Sequence, residues 1–147
     1  MTPDPKQIFI LAVICPIFFM GIIAYADSRK IKDRIDQGYR SAIVNRVIDG
    51  DTVDLDVSLG FGVKIFIRAR LARIDTPELR AKDPETRNKA RDAKNFLKEI
   101  LATPRTEITV RCPKKGKYGR WICTLYQDDI DINQLLLDKG YAKPYFH

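Results

Sequence analysis

The stretch from Thr52 to Leu71 constrains this chain more than any other. Val53, Leu55, Val57 and Leu59 alternate with polar residues. After Gly60-Phe61-Gly62, so do Val63, Ile65, Ile67, Ala69 and Leu71. A period of two places every second side chain on one face, so both runs read as strands joined by a tight turn. The second run carries Lys64, Phe66, Arg68 and Arg70 on its other face, which predicts a half-buried strand with a cationic side. A chain containing such a hairpin needs further strands or helices to cover its apolar face.

The rest of the chain supplies them. Residues 42–50, "AIVNRVIDG", predict a strand and turn leading into the first run. Asp83-Pro84-Glu85 opens a helix, with Asp83 as cap and Pro84 at a first position that needs no backbone donor. Ala90, Ala93, Phe96, Leu97, Ile100 and Leu101 form its apolar stripe. Residues 106–112 and 120–126 predict two more strands around the basic turn "PKKGKYG". Asp131 caps a short last helix, which Leu135, Leu136 and Leu137 pack and Gly140 stops. Short strands with basic turns fit a small, partly open barrel, and an α+β sandwich fits the same order.

Residues 8–26 differ in kind: nineteen residues without a charge. That length just spans a hydrocarbon core, and it also suits the apolar part of an export signal. Ala24-Tyr25-Ala26 before Asp27 resembles a cleavage site, whereas Arg29, Lys30, Lys32 and Arg34 form a flank usually kept inside. The expected organisation is a signal peptide or membrane anchor over 1–26, a charged linker over 27–41 and one domain over 42–147. The body is then exported, periplasmic or secreted, or it is anchored to the inner membrane through residues 8–26. Nothing implies a protein partner, and a monomer is expected.

The chain carries a net charge of +7, all of it after residue 26 because Lys6 and Asp4 cancel. Such a body attracts anionic partners, nucleic acid or acidic lipid. There are three cysteines. Cys15 lies in the leader, and Cys112 and Cys123 are either bridged or two small buried apolar groups. There is no CxxC, and the one histidine, His147, ends the chain. A zinc centre and a histidine-based triad are therefore not expected.

Against that basic background, acids gather in two places. "VIDGDTVDL" (47–55) holds Asp49, Asp51 and Asp54, and "RLARIDTPE" (70–78) holds Asp75 and Glu78. Asp51 and Asp75 together require a cation between them, and oxygen donors favour calcium or magnesium. Glu78 suits the orientation or deprotonation of a water. Arg70 and Arg120 suit a phosphate held by a planar fork. Taken singly, "DGD" is an ordinary turn, "DTPE" an ordinary cap and "KKGKYGR" an ordinary basic hairpin.

In combination, "VIDGDTVDL", "RLARIDTPE", "KYGR" (117–120) and "DINQLLLDKGYAK" (131–143) resemble the staphylococcal nuclease family, in order and over residues 42–143. The resemblance implies a mainly β fold, a five-stranded OB-type barrel with two or three helices. It implies a calcium-dependent, nonspecific nuclease acting on DNA and on RNA, leaving a 3′-phosphate and a 5′-hydroxyl. By motif, Asp51 and Asp75 resemble the metal carboxylates, Thr76 the residue lending a carbonyl, and Asp49 an outer-shell acid. Arg70 and Arg120 resemble the phosphate-gripping arginines and Glu78 the general-base glutamate. Tyr118 resembles a substrate-contacting tyrosine, and Lys115 and Lys117 are further substrate contacts. The connection from Asp51 to Arg70 is longer than in the founding enzyme, and the loop before "KYGR" is shorter. A base-stacking tyrosine has only Tyr141 and Tyr145 as candidates. The competing readings are a non-catalytic OB-fold nucleic-acid-binding protein and a basic, membrane-tethered recruiter of anionic partners.

Overall fold

The computed structural model describes residues 38–101 and 107–146. The expected leader over 1–26 and most of the linker lie outside the described residues. The first strand, β1, spans Tyr39–Asp49 and so begins three residues before position 42. β2 (Thr52–Gly60) and β3 (Val63–Leu71) form the hairpin that the alternation predicts. A short β4 (Ile74–Asp75) follows, then helix α1 (Pro84–Ile100). β5 (Glu107–Lys115) and β6 (Trp121–Gln127) make the second hairpin. β7 (Ile130–Asp131), α2 (Ile132–Asp138) and β8 (Lys143–Pro144) complete the chain.

The large sheet runs β3-β2-β1-β5-β6-β7. It closes because β3 also pairs with β6 in parallel, Ala69 opposite Trp121 and Leu71 opposite Cys123. Five strands thus form a closed barrel with two helices packed on it, the mainly β, OB-type α+β fold expected from the motifs. Val44, Leu55, Leu71, Val110 and Leu125 fill the barrel, and Leu97 and Leu136 from the helices join that core. Both helices begin where the caps predict: Asp83 Oδ2 accepts from the Thr86 amide at 2.7 Å, and Asp131 Oδ1 from Gln134 at 3.0 Å. Of the three leucines expected to pack α2, Leu136 is fully buried while Leu135 and Leu137 lie at the margin.

The alternation of β2 and β3 does not translate into burial along its whole length. Ile67, Ala69 and Leu71 are buried, but Leu59, Val63 and Ile65 are exposed. Those three belong to the inward face by register. They lie beyond the part of β3 that β6 covers, since the parallel pairing spans residues 69–71 of β3. Local pattern sets which face a side chain takes, and the length of the neighbouring strands sets whether anything lies over it.

Two buried polar groups brace the barrel, a role that the linear sequence assigns to neither. Asn133, at 0% exposure, accepts from the Leu125 amide and donates to the carbonyls of Ala72 and Cys123. One side chain on α2 therefore ties the end of β3 to β6. Asn133→Ala leaves the Leu125 N–H and the Ala72 carbonyl without that partner, at a cost of about 3 kcal/mol. The expected result is a lower urea midpoint with an unchanged m-value.

Asp54 sits between two arginines on neighbouring strands. It faces Arg46 on β1 and Arg68 on β3 by register, and accepts from Arg68 Nε at 2.7 Å and Arg46 at 3.1 Å. The hydrogen bond from Arg68 holds its carboxyl below the ordinary value, against the opposing effect of burial, and Arg46 adds to the lowering. A depressed carboxyl stabilises the fold above its unfolded pKa, and the contribution disappears as pH falls through the folded value. Asp54→Asn should therefore lower the melting temperature at neutral pH. The gap from the parent should close below about pH 4. The loss is modest because the side chains of Arg46 and Arg68 are 66% and 46% exposed.

Candidate nuclease active site

Asp51 stands in the tight connection from β1 to β2. The glycine of "DGD" is required there by close approach. A Cβ on Gly50 would lie 2.9 Å from the Ala93 Cβ of α1 and from the Thr76 side chain. The missing side chain lets α1 and the segment after β4 press against the turn. The Asp51 amide donates back to Asp49 Oδ1 at 3.2 Å, and Thr52 Oγ1 donates to Asp51 Oδ1 at 2.9 Å. The Asp51 carboxylate is thereby oriented and almost wholly buried.

Arg70 lies directly across the hairpin, opposite Thr52. Its guanidinium reaches Asp51 Oδ2 at 2.5 Å and Asp75 Oδ1 at 2.6 Å. The cation required between the two carboxylates is thus, in this arrangement, Arg70 itself. Burial pushes the Asp51 carboxyl up to about 6, against the pull of Arg70, and neighbouring Asp49 pushes the same way. One shared guanidinium does not fully compensate the buried charge.

The second hairpin supplies the remaining cations. β5 carries an extra residue opposite β6: Arg111 faces Thr124 and Lys114 faces Ile122, so Cys112 and Pro113 stand against Cys123 alone. Pro113, without an N–H, suits that bulge. Cys112 and Cys123 are bridged, with Cα atoms 4.2 Å apart, which resolves the alternatives for that pair. The bridge pins the base of the turn bearing Lys115, Lys117, Tyr118 and Arg120. None of the ion pairs among the described residues involves Lys114, Lys115, Lys117 or Arg120, so these cations face the cleft without an acidic partner of that kind.

One cleft of about 1060 Å³ is lined by all ten residues singled out in the sequence: Asp49, Asp51, Arg70, Asp75, Thr76, Glu78, Lys115, Lys117, Tyr118 and Arg120. Glu78 stands exposed at the rim, Thr76 is buried, and Tyr118 projects into solvent. The two candidate tyrosines separate. Tyr141 stacks on Phe96 with ring centroids 4.3 Å apart and packs against the core. Tyr145 lines the cleft, its ring 5.8 Å from the Arg70 guanidinium carbon. The reason is β8, which pairs with β4, Lys143 opposite Asp75, and so carries the end of the chain to the site. Arg80 and Leu79 also line the cleft, and only their closeness to Glu78 in the sequence hinted at this.

The donor set suits a hard cation: carboxylates, a buried threonine and no imidazole or thiolate. Among the described residues no three acidic, histidine or cysteine side chains converge into a ready cage. A cation there would draw on Asp51, Asp75 and the Thr76 carbonyl, and the undercompensated charge of Asp51 favours one.

A five-stranded OB-type barrel with acids and arginines converging on one basic-rimmed cleft defines a class of phosphate-handling proteins. The comparisons agree. The model of the family described as staphylococcal nuclease homologue matches residues 68–147. The thermonuclease of Staphylococcus intermedius is 29% identical over 140 residues, 95% of this chain and 80% of that one. Two Bacillus subtilis (strain 168) proteins are similar over less of their own length. Endonuclease YhcR is 32% identical over 75% of this chain and 9% of its own, and endonuclease YncB 28% over 68% and 46%. The chain belongs to the staphylococcal nuclease homologue family.

Proposed function

We propose that this protein is a calcium-dependent nuclease that hydrolyses phosphodiester bonds of DNA and RNA without strong base preference. The observation that carries the reading is the convergence of Asp51, Arg70, Asp75, Glu78 and Arg120 on one cleft from separate strands and turns. The nuclease names of the relatives support the same reaction class.

In this reading the basic rim of Lys115 and Lys117 draws in the phosphate backbone, and Tyr118 contacts the substrate. Arg70 and Arg120 grip the reacting phosphate from opposite hairpins. Glu78 accepts a proton from the attacking water. The new bond forms between that water oxygen and phosphorus, and the bond to the 5′ oxygen breaks. The leaving oxygen takes up a proton, giving a 3′-phosphate and a 5′-hydroxyl. A hard divalent cation, when held by Asp51, Asp75 and the Thr76 carbonyl, supplies positive charge to the phosphoryl oxygens. Asp49 orients the turn that presents Asp51. The arginine forks match the charge that grows on a pentacoordinate phosphorus. Residues 8–26 belong to the same proposal: the body works outside the cytoplasm, as an exported or membrane-held enzyme. This arrangement keeps a nonspecific nuclease away from the cell's own nucleic acid.

Plasmid digestion by the purified chain tests the reading directly. Calcium should restore cleavage after chelation, and Glu78→Gln should slow it by roughly 10²–10⁴-fold. Cleavage that persists in excess chelator, or a Glu78→Gln chain as fast as the parent, would reject the metal or base role. A Glu78→Gln chain that still retards nucleic acid on a gel shows that binding is intact. The non-catalytic reading requires such binding with no cleavage by the parent.

Arg120→Lys separates shape from charge. Lysine keeps the charge and loses the planar fork. Single-turnover cleavage should fall by about 100-fold or more. Affinity for nucleic acid should change far less. Equal single-turnover rates would remove Arg120 from the transition state.

A further inference from the structure

The far end of the β2–β3 hairpin projects from the barrel, and it exposes apolar side chains on both faces. Leu59, Val63 and Ile65 continue the inward face past the point where neighbouring strands cover it, and Phe66 points outward. Phe61 at the tip is fully exposed, at 106%. Its backbone is left-handed, with φ of 51° between Gly60 at 88° and Gly62 at 76°. Glycine or asparagine adopts that conformation at less cost than phenylalanine. A strained, bare aromatic contributes nothing visible to the fold. Strain kept at an exposed position points toward function.

We propose that this tip, with Phe61 foremost, inserts into the surface of a lipid bilayer and forms a second contact beside the N-terminal segment. The inference rests on the proposed membrane or export role of residues 8–26, and the placement of the tip supports it. Ala42 of β1 stands opposite Val57 of β2, so the start of β1 and the tip at Gly60 lie at the same end of these strands. Thr52 opposite Arg70 marks the other end, which carries the cleft. The eleven residues 27–37 separate the uncharged segment 8–26 from the described body. Fully extended, they reach at most about 40 Å. A body tethered so closely meets the bilayer repeatedly, and its entry end carries the apolar tip.

The chemistry of the tip selects lipid over the alternatives. Leu59, Val63 and Ile65 are aliphatic and exposed, which suits acyl chains, and only Phe61 and Phe66 offer rings on which a base could stack. Lys64, opposite Ser58, gives the tip a cation for anionic headgroups. Asp56 lies farther back, opposite Phe66. A second copy adding along the uncovered part of β3 would bring Lys64 and Arg68 against like charges, a pattern that discourages edge pairing. Lipid contact leaves the cleft end free for nucleic acid.

The test uses the full chain in vesicles of phosphatidylcholine and phosphatidylglycerol, with and without brominated acyl chains. The parent reports Trp121, its single tryptophan. Phe61→Trp adds a probe at the tip, and Tyr118→Trp adds one at the cleft. Flotation of the vesicles confirms that the chain is held. The proposal expects the tip probe to emit at shorter wavelength and to lose most of its added emission to bromolipid, while the cleft probe does neither. A tip probe with the emission of water-exposed indole, unaffected by bromolipid, overturns it. So does a blue-shifted tip probe that bromolipid leaves untouched, because a protein or nucleic acid surface then covers it. A full chain that does not float overturns the tether reading and this inference together. Plasmid cleavage by the Phe61→Trp chain reports the nuclease reading separately, since Phe61 lies outside the cleft.

Discussion

The parallel pairing of β3 with β6 is the contact on which the rest of the molecule depends. It joins residues about fifty positions apart and turns an open sheet into a barrel. Without it Leu71, Val110 and Leu125 would line one face of a sheet with only helices to cover them. The same pairing sets Arg70 opposite Ile122, two residues from Arg120, so core closure and the meeting of the two arginines are one event. Asn133 secures that junction from α2 by satisfying backbone groups on both strands. A buried amide is justified here because each of its bonds goes to a backbone group, and the Leu125 N–H and the Ala72 carbonyl would lose that partner without it.

Around this junction the acids have two distinct uses. Asp54 is held between Arg46 and Arg68 and works as a cross-strand brace. Asp51, three residues earlier, is buried in the cleft wall with half a guanidinium for company, because Arg70 also serves Asp75. Both are aspartates on neighbouring positions of one motif. Their carboxyls move in opposite directions because one has two arginines and the other shares one under heavier desolvation. A stability element and a chemically poised group thus sit side by side, distinguished by their partners alone.

The two hairpins also divide labour. The β5–β6 hairpin is bridged by Cys112 and Cys123, and its turn brings lysines and Arg120 to the cleft. The β2–β3 hairpin carries Arg70 at its root and an uncharged, strained aromatic at its tip. In the proposed reaction a rigid mount suits a guanidinium that is to meet a phosphate in one geometry. An apolar finger suits a fluid surface, where depth matters more than register.

Much of this was legible in the linear chain, for physical reasons that differ by element. The alternation from Val53 to Leu71 determined a hairpin, and the Asp83 and Asp131 caps determined where two helices start, because these signals act between residues close in sequence. The ten cleft residues were legible as motifs, since each short segment carries its own turn chemistry. What tertiary structure decided is everything that turns on distant neighbours. It put Arg70 between Asp51 and Asp75, bridged Cys112 to Cys123 across a bulge, and sent Tyr145 to the cleft and Tyr141 to Phe96. It left Leu59, Val63 and Ile65 bare although their spacing is that of a core face. Periodicity determines the direction of a side chain, whereas burial depends on what the rest of the chain brings to lie over it.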